Sequence, residues 1–350
     1  MAVSIQDKIL RNTLQIESFA TSVSRDVAAM LAGAEESVLR KLQRARPEDV
    51  FKRQQLSQAL SEIGGTLNNI EGDFSTILTD ARRSVLEMEY SAIQGPFLSE
   101  VPDAQKALVQ TRLPVNRLEA LAKKPLGGRT LEDWVSRTFG GLQKGLRTSL
   151  GSSLAQGESV QKAADRLRKE FGLSRNRADV LARTSLLQSA ADSREEFYDD
   201  NSDVIEGFQY LATLDIRTCE ICAPDDGRVE KTLAELPKLL RHPRCRCVIV
   251  PVTALSDLNE ARPSVTKQEF KKTNHKDGST STKSRVLEAR STTKNFNQFF
   301  NSQPDSWKRE WLGDERFDLW KSGELTSLDQ LSKGDRVLNV DQLRRKLHAD

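Results

Sequence analysis

The stretch TCEICAPDDGRVEKTLAELPKLLRHPRCRC, residues 218–247, holds all four cysteines of a 350-residue chain and one of its three histidines. Its donors are spaced Cys219-x2-Cys222, then nineteen residues, then His242-x2-Cys245-x-Cys247. Zinc takes four ligands in a tetrahedron, and a CxxC turn offers two thiolates to one ion, so five donors in two half-sites fit a closed structural metal site. Cys245 and Cys247, two apart on an extended chain, point alike, and spacing leaves open which of them binds. The reading is Cys219, Cys222 and His242 with one of that pair; an all-cysteine set without His242 is the variant. A thioredoxin-like redox pair would open a helix, whereas ICAPDDG leads into a turn. Two disulfides, in an oxidising setting, and plain buried thiols are the other readings. A catalytic ion needs an open position and a nearby base. Asp215, Asp225 and Asp226 are near in sequence, but APDDGR has the composition of a turn. His275 and His348 stand in polar stretches and read as solvated surface.

On either side of the cluster lie the clear β signals, GFQYLATLD and CRCVIVPV, so the cluster is expected on a small β ribbon. The rest of the chain reads as helix. From Ile5 to about Arg44 the apolar positions Ile5, Ile9, Ile16, Phe19, Val23, Val27, Met30, Leu31, Val38 and Leu42 recur at helical spacing. A break at Pro47 precedes a second pattern (Val50, Leu56, Leu60, Ile63) ending at Gly64-Gly65, and a third runs from about Thr66 to Ile93. A Pro-containing connector near QGPFLSEVPDAQ leads to a helix, glycine, helix rhythm repeated three times, with Thr130, Ser159 and Ser174 placed as N-caps. In the last of these helices Ala178, Ala182, Leu186, Ala190 and Phe197 form a stripe whose small residues imply close packing.

Charged residues make up 29% of the chain and aromatics only 6%, the balance of long amphipathic helices with wide solvated faces. A formal charge of +3 gives no reason to expect nucleic-acid binding by the chain as a whole. Charge is concentrated locally. Lys267, Lys271, Lys272, Lys276, Lys283, Arg285, Arg290 and Lys294 outnumber the three acids between 266 and 294, making this Lys/Ser/Thr-rich arm the candidate DNA contact. The N-terminus carries charges throughout, so neither a signal peptide nor a membrane anchor is expected, and no window approaches the roughly 20 apolar residues of a membrane span. Glycine-rich phosphate loops, GxSxG elbows and HExxH helices are absent from the sequence.

The expected fold class is mostly α with a small β ribbon (α+β). Residues 1–100 read as a long helical bundle or hairpin open to a partner, 126–252 as a helical domain ending in the zinc-knuckle-like β element, 253–294 as a basic flexible linker or arm, and 295–350 as a small helical module.

The phrases LATLDIRTCEICAPDDGRV and HPRCRCVIVPV resemble the phage head-morphogenesis domain of Mu F-like minor head proteins. Asp215, Arg217, Thr218, Cys219, Cys222, Gly227, His242, Pro243, Cys245, Arg246 and Cys247 match in order. The helix RADVLARTSLLQSAADSR is similar to that family's R-A-x-x-x-A-R-T-E helix at Arg177, Ala178, Ala182, Arg183 and Thr184, with Ser185 where an acid is usual. The resemblance covers residues 126–252 well and 295–345 moderately. It implies a minor head protein of a tailed phage, located in the virion and in the host cytoplasm during assembly. It would associate with the portal and other capsid proteins inside the capsid and act in head assembly, DNA packaging or ejection. Phage DNA and further copies of the chain are the other partners considered, and zinc is the expected structural cofactor. No catalysis is expected. The alternative is a metal-dependent nuclease or hydrolase using His242 and a nearby aspartate, and a third reading is a DNA-binding adaptor outside the virion.

Overall fold

A computed structural model describes residues 4–44, 53–156, 158–258, 261–274 and 280–348. Two long helices, α1 (Ile5–Arg44) and α2 (Arg53–Glu100), lead through a 3-10 turn (Asp103–Leu108) and the short α3 (Val115–Ala122) to α4 (Leu131–Ala155) and α5 (Val160–Asp200). A three-stranded antiparallel sheet follows, ordered β2–β1–β3, from β1 (Gly207–Leu211), β2 (Val229–Glu230) and β3 (Val248–Val252). Next come a hairpin of β4 (Arg262–Asn274) and β5 (Thr280–Ser291), and helices α6 (Phe296–Ser302), α7 (Asp305–Leu312) and α8 (Asp314–Ser322). The small hairpin β6 (Ser332–Lys333) and β7 (Arg336–Val337) and helix α9 (Val340–Leu347) complete the chain. The class is mostly α with small β elements, as the sequence implies.

The apolar stripes meet in one core. Ile16, Val23 and Val27 of α1, Leu67, Phe74 and Leu78 of α2, Phe139 and Leu142 of α4 and Phe171, Ala182 and Leu186 of α5 share a single buried cluster. The alanines at 178, 182 and 190 are buried, and their small size lets α5 lie close along α1. At one end, Ile5, Ile9, Ile93, Phe97 and Phe197 form a second cluster with Leu211, Val248 and Val250, which seats the sheet on the helix ends. Between the two clusters Arg194 donates to Glu89 (2.6 Å) and to Thr13 (2.9 Å), so a buried ion pair fixes the register of three helices.

Several local expectations are corrected. Residues 53–100 are one helix, running through Gly64-Gly65 and Pro96. Ile63 and Leu67 are buried on either side of the glycines, and Ile93 and Phe97 around the proline. That packing offsets about 1 kcal/mol per interior glycine and about 3 for proline. The third helix of the glycine rhythm is not separate: α5 runs through Gly172, and Ser174 lies buried inside it with an unpartnered Oγ. Thr130 and Ser159 do cap, accepting from the amides of Asp133 (3.1 Å) and Lys162 (3.3 Å). Phe19 is exposed, off the buried stripe. Pro47 and Val50 lie outside the described residues.

The basic segment is not a structureless linker. Its Ser/Thr/Val-rich runs pair antiparallel from Arg262↔Ser291 to Asn274↔Thr280, with an irregularity between Val265 and Lys267. Pairing of two strands joins the backbone groups on their facing edges whatever the side chains, so a segment with few large apolar residues can still be extended and paired.

Candidate metal centre

Both half-sites hang from β2. The β1–β2 connection carries Cys219 and Cys222 in a turn where Cys219 O accepts from the amides of Cys222 (3.1 Å) and Ala223 (3.0 Å). The β2–β3 connection carries HPRCRC, with the Cys245 amide donating to His242 O (3.2 Å) and Arg244 in the left-handed region at φ 61°. A non-glycine residue adopts that conformation at a cost, so the surroundings must hold this knuckle in place. Thr184 Oγ1 accepts the Arg244 amide (3.3 Å), and Asn176 and Asp179 accept its guanidinium. The α5 motif thus grips the second half-site.

The first half-site is gripped from the other side. Arg217 and Arg183 both reach Glu17 of α1, Arg183 at 3.6 Å. Asp215 is buried and bonded to both guanidinium nitrogens of Arg246, one of them at 2.7 Å, and it accepts the Arg217 amide (2.9 Å). Burial alone would raise the Asp215 carboxyl, but Arg246 holds it below its ordinary value. Asp226 accepts the Ala212 amide (2.7 Å) and pairs with buried Arg262 at the base of the β4–β5 hairpin. Asp225 pairs with Arg241. These aspartates are ion-pair partners as well as turn residues. Ser185, where the related helix carries an acid, is buried and donates to Ala182 O (3.0 Å), so the helix has no carboxylate at that position.

The two half-sites face each other. His242 Nε2 lies 3.0 Å from Cys219 Sγ and 3.4 Å from Cys222 Sγ, and Cys222 Sγ lies 3.9 Å from Cys245 Sγ. Sulfurs about 2.3 Å from one tetrahedral ion stand roughly 3.8 Å apart, and the Cys222–Cys245 separation is close to that. Cys219, Cys222 and His242 form one group able to hold a metal ion, and Cys222, Cys245 and Cys247 another, sharing Cys222; among the described residues no carboxylate joins either. All four cysteines are free thiols in this structure. His242 Nδ1 lies 3.0 Å from Pro243 O; donation to that carbonyl fixes the tautomer and leaves Nε2 as the ligand atom.

The thiols and the imidazole perturb one another strongly. Cys219 is drawn down to about 4, first by its hydrogen bond with Cys222 and then by His242. Cys245 also falls well below a normal thiol, whereas Cys222 is pushed far up by its hydrogen bonds with Cys219, Cys245 and Cys247. His242 rises to about 11 against Cys219 and Cys245. Crowded sulfurs share protons here, and a metal ion would take the protons' place. Beside them stands Tyr210 of β1, fully buried, its hydroxyl without a formed hydrogen bond. Burial, then the neighbouring Cys247, Cys222 and Cys245, keeps the phenol protonated. That orphan donor suits a sulfur bearing full negative charge, as a metal-bound thiolate does. The donor set and its surroundings fit a metal, with Cys245 facing both His242 and Cys222.

Residues 144–250 match the family model Phage Mu protein F like protein. The matched span runs from mid-α4 through β3 and includes every donor of the cluster. The Mu F-like resemblance of the cysteine phrases holds over this span, and the family is one of phage head morphogenesis. Comparison with curated proteins and with solved structures gives no match.

The remaining site residues lie elsewhere. Lys267, Lys271 and Lys272 fall on β4 and Lys283, Arg285 and Arg290 on β5, with Lys271 opposite Lys283 in register. Lys294 is exposed just before α6, His348 is exposed at the end of α9, and Lys276 and His275 lie outside the described residues. Sequence reading missed the contact of the C-terminal module with the cysteine loop: Trp311 Nε1 donates to Thr218 O (2.6 Å), and Arg316 to Glu220 (2.8 Å). No local sequence pattern signals a contact between residues 93 positions apart. Among the described residues no helix is long and apolar enough to cross a membrane.

Proposed function

We propose that this protein is a structural minor component of a tailed-phage head, resident in the virion, docking on the portal and neighbouring capsid subunits. The observation that carries the reading is the Mu F-like match over 144–250, whose signature residues meet in one joint. In it a zinc ion, bound by Cys219, Cys222, His242 and Cys245, with Cys247 as the alternative fourth ligand, staples the two connections flanking β2. The chemistry zinc supplies there is charge neutralisation and tetrahedral cross-linking; Nδ1 of His242 and the hydroxyl of Tyr210 hold the ligands from outside. The role proposed for the ion is structural, a staple drawing on thiolate and imidazole donors. The β4–β5 hairpin, with five positive charges in excess between 266 and 294, reaches phage DNA through its phosphates.

Co-expression with the portal and major capsid proteins tests the head role: the protein should be recovered in purified heads, and its exclusion from them would overturn the reading. Elemental analysis with a free-thiol count tests the cluster; one zinc per chain is expected. DNA affinity should fall with salt and lose most of its salt slope when 262–291 is deleted. Plasmid nicking that disappears in His242→Ala would replace the structural reading with a nuclease.

A further inference from the structure

The neighbours of the candidate ligands are the surface on which the C-terminal module sits. Thr218 precedes Cys219 and its carbonyl receives the Trp311 indole (2.6 Å); Glu220 follows Cys219 and receives Arg316 (2.8 Å). Leu214 and Ala223, on either side of the CxxC turn, belong to the same buried cluster as Phe296, Phe300, Trp311 and Phe317. From the second half-site Arg241, next to His242, donates to Asp335 (2.6 Å) and to Ile221 O (3.2 Å). Gly227 completes the contact: a β-carbon there would stand 3.0 Å from Lys294 O and 3.1 Å from Asn295 Cβ. The module therefore touches both half-sites within one or two residues of a ligand.

We infer that metal occupancy of the Cys/His cluster and docking of the C-terminal module (295–347) are a single coupled equilibrium, the ion acting as the latch. This rests on the reading that the cluster holds a metal. Within the CxxC turn itself two backbone hydrogen bonds to Cys219 O hold the conformation. Loss of the ion frees the turn, and with it the carbonyl, the carboxylate and the apolar groups that the module needs. The module has its own aromatic core, with edge-on contacts of Phe299 and Trp307 (5.6 Å) and of Phe300 and Trp320 (5.0 Å), so it leaves as a folded unit. Release would hand a folded aromatic module to the end of the β4–β5 hairpin.

Coupling is reciprocal, so groups that dock the module must also tighten the metal. In the full chain, zinc affinity is measured by competition with a chromophoric chelator. Glu220→Gln and Arg316→Ala should each raise the zinc Kd about tenfold, within the usual range of coupling factors. Arg309→Ala, whose partners Asp314 and Asp318 lie within the module, should leave it unchanged. Removing zinc from the wild type should shift tryptophan emission to the red and expose 292–295 to protease, while amides of 296–347 keep their exchange protection. Zinc bound with normal affinity in both variants, and emission unmoved by its removal, would overturn the latch and leave the metal site standing. A wild-type chain that binds no zinc would sink both.

Discussion

The Asp215–Arg246 pair gives the sharpest test of how the knuckle is held. Arg246 stands between Cys245 and Cys247, and Asp215 lies four residues before Cys219, so their ion pair joins the same two connections as the metal donors. Their side chains are 5% and 9% exposed, and the contact is bidentate. Removing one member leaves the other charged and buried, at about 3–5 kcal/mol, while replacing both with apolar groups is often close to neutral. Asp215→Ala and Arg246→Met should each lose about that much in urea unfolding at fixed free zinc, and the double variant should recover at least about half of the summed loss. The pH response discriminates further. In the wild type the Asp215 carboxyl is depressed, so its contribution is complete above its unfolded value near pH 4 and disappears as pH falls through the lower folded value. In Arg246→Met burial acts on Asp215 with only Arg217 left to oppose it, so the carboxyl rises relative to the wild type and the acid-side loss of stability should shrink or reverse. Single losses below about 1 kcal/mol, or an Arg246→Met variant with the wild-type acid limb, would refute the reasoning.

Tyr210→Phe removes an orphan hydroxyl from a buried position and should leave the metal-free protein nearly as stable. By withdrawing a donor to the thiolates it should weaken zinc binding about tenfold; an unchanged Kd would mean the hydroxyl serves no bound metal. Two glycine replacements should move melting temperature in opposite directions. Gly227→Ala adds a side chain at φ 88° against Lys294 and should cost about 1–2 kcal/mol. Gly65→Ala, in open space on α2, should add about 0.5–1 kcal/mol. A destabilised Gly65→Ala would contradict the continuous helix.

What could be read in advance were features whose cause is local. The cysteine phrase shows its chemistry in its spacing, and α1 and α5 show their burial in their periodicity. Asp215 and Asp226 read as turn residues because their partners, Arg246 and Arg262, are 31 and 36 residues away, and nothing local marks a carboxylate as half of a buried pair. Gly64, Gly65 and Pro96 looked like breaks because propensity is visible in sequence, whereas the packing that overrides it belongs to other helices. The β4–β5 strands were missed for a different reason: hydropathy finds strands that bury a face, and a two-stranded ribbon need not bury one.

The signature residues are scattered over some seventy positions, yet in space they make a single joint. Asp179 and Thr184 of α5 hold Arg244 in the HPRC knuckle, and Glu17 of α1 holds both Arg183 of α5 and Arg217 before the CxxC turn. Asp215 then ties that turn back to Arg246. Several of these pairs are partly exposed and contribute little singly. Their effect is positional: they help to place two loops, each with little regular structure, so that the two donor groups meet at Cys222. The same joint carries the sheet, the base of the basic hairpin through Arg262 and Asp226, and the C-terminal module through Trp311. It is the place where the helical body transmits its geometry to every part that follows.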